Sequence, residues 1–180
     1  MPEPSSPQVL AIALAQTNQW FADVMLMPNV QLQLIDEMNI QRIARQFLTS
    51  IKHRKVDWDW EAMFHKKVKF AARYGCKAWM FAITVRGRAG AMSWGKIDIR
   101  PPGYVSIEFL ERRPYVRGLR GLAAPAAFQF AKTVAALLDV DQVRLSRPLP
   151  ELVRYYTRSL GLVRHPVAGR VQYLFAKVNA

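Results

Sequence analysis

At 180 residues, 51% hydrophobic and 22% charged, the chain is long enough for one well-buried domain, too short for two, and too apolar to be disordered. It carries 26 Lys and Arg against 13 Asp and Glu, a net charge of +13, which fits nucleic acid, an anionic lipid or an anionic cofactor with an acidic substrate as partner, or else plain solubility charge. The lone Cys76 excludes an internal disulfide framework and fits a reducing cytoplasm, and no apolar run is long enough to cross a membrane.

Residues 1–7 hold three prolines and two serines and read as a disordered lead. An extra helix is predicted over Gln8 to Met27, with Val9, Ile12, Ala13, Gln16, Trp20 and Val24 at helical spacing, stopped by Pro28-Asn29. Residues 1–29 are thus expected to precede a single domain over 30–180. The acidic Glu3 and the missing basic segment argue against a signal peptide.

Val30 to Ile35 alternates and predicts a first strand. Asn39 is placed to cap a helix running to Lys52, and a second helix is predicted over Asp57 to Arg73, acidic at its start and basic at its end, as the helix dipole favours. Strands are then predicted over Lys77–Val85, Ala91–Arg100 and Tyr104–Glu111, an antiparallel meander joined by turns at Arg86-Gly87-Arg88 and Pro101-Pro102-Gly103. In the third, Val105, Ile107 and Phe109 alternate with Ser106, Glu108 and Leu110.

A basic turn with Gly118 and Gly121 leads into the clearest helix of the chain, Leu122 to Leu138. A strand, a glycine turn and a helix N-terminus together present backbone N–H groups to a phosphate, and Arg112, Arg113, Arg117 and Arg120 add charge around it. A strand over Val143–Leu145, a helix over Glu151–Leu160 stopped by Gly161, and closing strands over Leu162–Arg164 and Val171–Val178 complete the order. The strand–helix–strand crossover at 104–145 is expected to be parallel. The fold class is therefore α/β (α+β): a mixed, mostly antiparallel central sheet with helices on both faces.

With these elements in order, the chain resembles the GNAT acetyltransferase superfamily over roughly residues 30–178. The family's motif is Gln or Arg, two residues, Gly, one residue, then Gly or Ala. Here it reads Gly118-Leu119-Arg120-Gly121-Leu122-Ala123, with Gly118 in place of Gln or Arg and Arg117 or Arg120 as substitutes. The run Arg154-Tyr155-Tyr156-Thr157-Arg158-Ser159-Leu160-Gly161-Leu162 is similar to the family's tyrosine-bearing helix, with Leu162 for Phe.

The resemblance implies acetyl-CoA or another acyl-CoA as donor, an amine as acceptor, and direct transfer in a ternary complex. Leu110, Arg112, Arg117, Gly118, Leu119, Arg120, Gly121 and Ala123 are the expected cofactor contacts. It implies a tyrosine as proton donor to the leaving thiolate, Tyr156 ahead of Tyr155, and Glu108 or Glu111 as the base. Each has a plainer reading: Tyr156 as core, Glu108 paired with an arginine, Glu111 as surface.

His53, His65 and His165 have no metal-ligand spacing with one another or with Cys76, so no metal is expected. Trp58, Trp60, Trp79 and Trp94 are read first as core and second as an acceptor pocket. The basic run from His65 to Phe70, with Arg73, Arg86 and Arg88, is either a solvated helix face or a surface for an anionic acceptor. The rival reading is a basic, non-enzymatic protein on the same scaffold binding DNA or RNA. The apolar face of the N-terminal helix is left to pack on its own domain or on a second copy in a homodimer.

Overall fold

The computed structural model describes residues 6–48, 59–73, 75–113, 116–165 and 173–178. Its elements run α1 (Ser6–Asp23), β1 (Val30–Leu34), α2 (Ile40–Leu48), α3 (Trp60–Arg73), β2 (Lys77–Val85), β3 (Arg88–Asp98) and β4 (Tyr104–Arg112). A 3-10 turn (Arg117–Leu119), α4 (Ala123–Leu137), β5 (Gln142–Ser146), α5 (Pro150–Ser159), β6 (Val163–Arg164) and β7 (Tyr173–Lys177) follow. The predicted lead over 1–5, the helix segments over 49–58 and the strand start at Val171 lie outside the described residues.

The seven strands form one sheet in the order β1-β2-β3-β4-β5-β7-β6. Every pair is antiparallel except β4 with β5, so the crossover through α4 is the parallel one expected from the sequence. Strand periodicity sorts the two faces. Val30, Leu32, Phe81, Ile83, Val105, Ile107 and Val143 join α1, α4 and α5 in the larger core. Met80, Ala82, Met92 and Trp94 join α2 and α3 in the smaller one.

Helix α1 packs within its own chain: Val9, Ala13 and Phe21 are fully buried in the core that α4 also fills. Asn18 ties it to the sheet, its Oδ1 accepting from the Leu32 N–H at 2.6 Å and its Nδ2 donating to the Leu32 carbonyl at 3.2 Å. The helix stops at Asp23, four residues before its predicted end. Leu26 turns left-handed (φ 54°) and the Met27 N–H reaches back to the Phe21 carbonyl, a hydrogen-bonded stop that hydropathy does not reveal.

At the other helix start, Asp36 does what was expected of Asn39. Its Oδ1 accepts from the N–H groups of Met38 and Asn39, while Asn39 reaches back to the Leu34 carbonyl. Beneath α4, Trp79 stacks on Phe81 (5.3 Å between centroids, 7° between planes) and Phe130 packs against both, so Trp79 is core. Leu119 is fully buried there too.

A polar clasp closes the far end of β3. Arg100 donates to both oxygens of Asp98, and the Cys76 thiol donates to Asp98 Oδ2 at 3.5 Å. Hydrogen bonds from Arg100, against the opposing cost of burial, hold the Asp98 carboxyl down at about 2. Burial and the adjacent Asp98 charge push the Cys76 thiol up, so Cys76 is a poor nucleophile. Because the folded-state Asp98 titrates below its ordinary value of 3.8, its stabilisation is present above that value and fades as pH falls towards 2. Asp98→Asn is expected to lower the thermal midpoint at pH 7, with the gap to wild type closing between about pH 4 and pH 2. A gap that persists unchanged at pH 2 in thermal melts would refute the clasp.

Candidate active site

Strand β4 does not run evenly. Its register with β3 pairs Gly95 with Ile107 and Trp94 with Phe109, which leaves Glu108 as an extra residue, a β-bulge. The bulge shifts the alternation. Val105, Ile107 and Leu110 face α4 and α5, whereas Phe109 crosses to the other face and packs on Trp94, 5.7 Å between centroids. Simple alternation puts Phe109 with Ile107; the inserted residue is why it lies opposite.

Opposite the bulge the sheet needs a glycine. A Cβ on Gly95 would collide with the Ser106 carbonyl oxygen and the Trp79 ring. On the far side of β4, pairing with β5 ends at Ile107↔Leu145. From Glu108 onward β4 therefore has no β5 partner, and the two strands fork.

Glu108 sits at the fork. Its Oε1 accepts from Ser106 Oγ at 2.6 Å and from Ser146 Oγ of β5 at 3.0 Å, and Lys96 Nζ is 3.7 Å away. Burial works against the Lys96 charge, but the Glu108 carboxylate, together with Tyr104 and Cys76, outweighs it and raises the lysine's pKa. A lysine, and not an arginine, is the cationic partner of Glu108. Glu111 is half-buried on the same face, where Trp60 Nε1 of α3 donates to its Oε2 at 2.6 Å. It is therefore anchored between β4 and α3. Lys67 lies over Trp94 and Phe109, 5.6 and 5.2 Å from their centroids, so the basic α3 face extends onto this side of β4.

The glycine turn lies beyond β4. Gly118, Arg120 and Gly121 are exposed, and Gly121 is left-handed (φ 77°). The N–H groups of Leu119 and Leu122 are taken up inside the turn, donating to the carbonyls of Val116 and Leu119. No side chain caps α4, and Pro125 removes one more donor from its first turn. Among the described residues, the open donors at this end are then the N–H groups of Ala123 and Ala124, beside Arg120 and Gly121. Leu119 contributes through its buried side chain, an anchor. Gly90, the extra residue of a second bulge in β3, makes room for it: a Cβ there would sit 2.6 Å from Leu119 Cδ1 and 3.0 Å from Val116 Cγ1.

Helix α5 supplies the third side. Tyr156 is buried and lines a narrow apolar cleft between the forked strands, with Ile107, Leu110, Phe128, Leu145 and Leu162. Among the described residues its hydroxyl has no hydrogen-bond partner, and burial raises its pKa. Tyr155 is placed differently, its hydroxyl donating to the Gly121 carbonyl at 3.3 Å, where it braces the glycine turn. The turn and the cleft thus bring together Leu110, Arg120, Gly121, Ala123 and Tyr156 on the α4–α5 side, while Glu108, held by Ser106, Ser146 and Lys96, stands at the fork on the α2–α3 side with Glu111. Arg112 donates from Nη1 to the Arg113 carbonyl at 3.0 Å. Ser146, Ser106 and Lys96, which hold Glu108, carry no motif, and only the register of three strands assembles them.

A mostly antiparallel seven-stranded sheet with one parallel pair and helices on both faces is the fold of the GNAT acetyltransferases. No family model and no curated protein matches the sequence. Solved structures do match in fold. The ribosomal-protein-S5-alanine acetyltransferase from Vibrio fischeri superimposes with a TM-score of 0.60 at 12% identity, over 84% of this chain and 94% of that one. Ard1 from Thermoplasma volcanium gives 0.54 at 14%, over 84% and 99%. YncA from Salmonella typhimurium, solved with its cofactor acetyl-CoA, gives 0.52 at 10%, over 84% and 95%.

Proposed function

We propose that this chain is a CoA-dependent N-acyltransferase that moves an acetyl group from acetyl-CoA to an amine in a ternary complex. The observation that carries the reading is the fork: β4 parts from β5 at Glu108, and the cleft so opened runs between the uncapped start of α4 and the buried Tyr156. The chain's residues suit the cofactor. The first-turn N–H groups of α4, with Gly121 and the Arg120 side chain, would hold a pyrophosphate at the positive end of the helix. The β5-facing edge of Leu110 to Arg112 would pair with an amide-bearing arm, and the apolar walls of the cleft exclude water.

Acetyl-CoA would supply a thioester whose carbonyl carbon forms the new C–N bond as its C–S bond breaks. Glu108 would take the proton from the attacking amine, directly or through one water, while Ser106, Ser146 and Lys96 keep its carboxylate in place. Unpaired β4 N–H groups past the bulge stand where an oxyanion develops. Tyr156 would give its proton to the departing sulfur; with its pKa raised by burial it stays protonated at neutral pH. Glu111, fixed by Trp60, shapes the acceptor side and stands as the alternative base. The neighbours named for spermidine and for the alanine of ribosomal protein S5 fit amine acceptors.

Calorimetric titration of the purified chain with acetyl-CoA is expected to give one-site binding, weakened by high salt as screening of a charged pyrophosphate contact requires. No binding heat and no thermal stabilisation at millimolar acetyl-CoA would overturn the assignment.

A further inference from the structure

On the α2–α3 side of the sheet, an open cleft of about 430 Å³ is lined by Arg45, Gln46, Arg88 and Arg113. That is within the size range of small-molecule sites. The three arginines come from three elements: the end of α2, the start of β3 and the residue after β4. Arg113 is pinned, its Nη1 donating to the carbonyls of Gln46 at 2.8 Å and Ala89 at 3.4 Å, and its guanidinium lies 5.8 Å from the centre of the Phe47 ring. Arg45 and Arg88 are exposed and have no ion pair among the described residues. None of the described lining residues is acidic.

Folding therefore sets the exposed charges of Arg45 and Arg88, which repel each other, beside a guanidinium that backbone carbonyls hold rigidly. An anion with several oxygens relieves that repulsion, and planar guanidinium forks match phosphate oxygens best. We propose that Arg45, Arg88 and Arg113 form a phosphate-binding cleft, separate from the turn before α4, that recognises a phosphate group on the acceptor. The acceptor role rests on the acyltransferase reading; the phosphate site itself does not. Arg113 lies two residues beyond Glu111 on the face that Glu111 and Phe109 share, so a phosphate held there leaves the rest of its molecule directed along β4 towards Glu108.

The test uses the full chain and inorganic pyrophosphate, titrated in the presence of saturating acetyl-CoA and again without it. The variants are Arg45→Gln, Arg88→Gln and the pair together; both side chains are exposed, so folding is expected to be intact by circular dichroism. The double variant is expected to bind pyrophosphate at least tenfold more weakly while binding acetyl-CoA as wild type does. Unchanged pyrophosphate affinity in the double variant, or none in wild type, would overturn the site. If acetyl-CoA fails to bind but pyrophosphate binding is still lost in the double variant, the cleft stands and the acyltransferase reading falls. A single-stranded 12-mer RNA distinguishes the phosphate's source: a salt slope lowered by about two in the double variant identifies a phosphodiester backbone, and an unchanged slope a small phosphorylated acceptor.

Discussion

Gly95→Ala is expected to destabilise the protein by at least about 3 kcal/mol, more than most overpacking substitutions, because nothing at the site has room to move. The added Cβ meets a backbone oxygen, that of Ser106, and the ring of a Trp79 already stacked on Phe81. Ser106 cannot give way cheaply, since it belongs to the stretch of β4 paired on both sides, with Lys96 and with Arg144. For a chain of this size the loss corresponds to a thermal midpoint lower by on the order of 10 °C. The same contact makes Gly95 a determinant of the fork. If the variant folds, β4 must shift at Ser106, the hydroxyl that holds Glu108 moves with it, and acetyl transfer should fall further than stability does. A midpoint within about 1 °C of wild type in thermal melts would mean that the bulge is not packed as described.

How far this site could be read from the sequence depends on the range of the interaction. Elements whose apolar periodicity is local were legible. Ala127, Ala131 and Val134 mark the buried face of α4, and the parallel crossover follows from a strand, a long helix and a second strand in that order. Gly121 marked the turn before α4, because left-handed backbone at a turn is written in a single residue.

The bulge was not legible. One extra residue at Glu108 is defined only by which β3 residue stands opposite, and it carries Phe109 to the other face. The Trp60–Glu111 bond spans 51 residues and shows in neither neighbourhood. The arginine cleft joins positions 45, 88 and 113, of which Arg113 reads in the sequence with the glycine turn and Arg88 with the basic face of α3. Gly90 is there because Leu119 needs the space, and nothing near it in the chain says so. Long-range pairing set the chemistry of the fork, while local pattern set only the elements that meet there.

Tyr156→Phe is expected to lower kcat by about a hundredfold or more, the usual weight of a positioned proton donor, and to leave acetyl-CoA affinity within about twofold. The phenyl ring keeps the wall that Tyr156 shares with Ile107, Leu110 and Leu162, so removing the hydroxyl tests chemistry and not packing. Tyr155→Phe is the control. Its hydroxyl braces the Gly121 carbonyl, so its loss should loosen the glycine turn and weaken cofactor binding a few-fold with little change in kcat. The pH profile separates the two further. Burial holds the Tyr156 hydroxyl above the ordinary tyrosine value of 10.0, so an alkaline fall in kcat that requires its proton should begin above that pH in wild type and be absent from Tyr156→Phe. A Tyr156→Phe enzyme with wild-type kcat would assign the residue to the core, and the departing thiolate would then have to be met by the freed β4 edge or by water drawn into the fork.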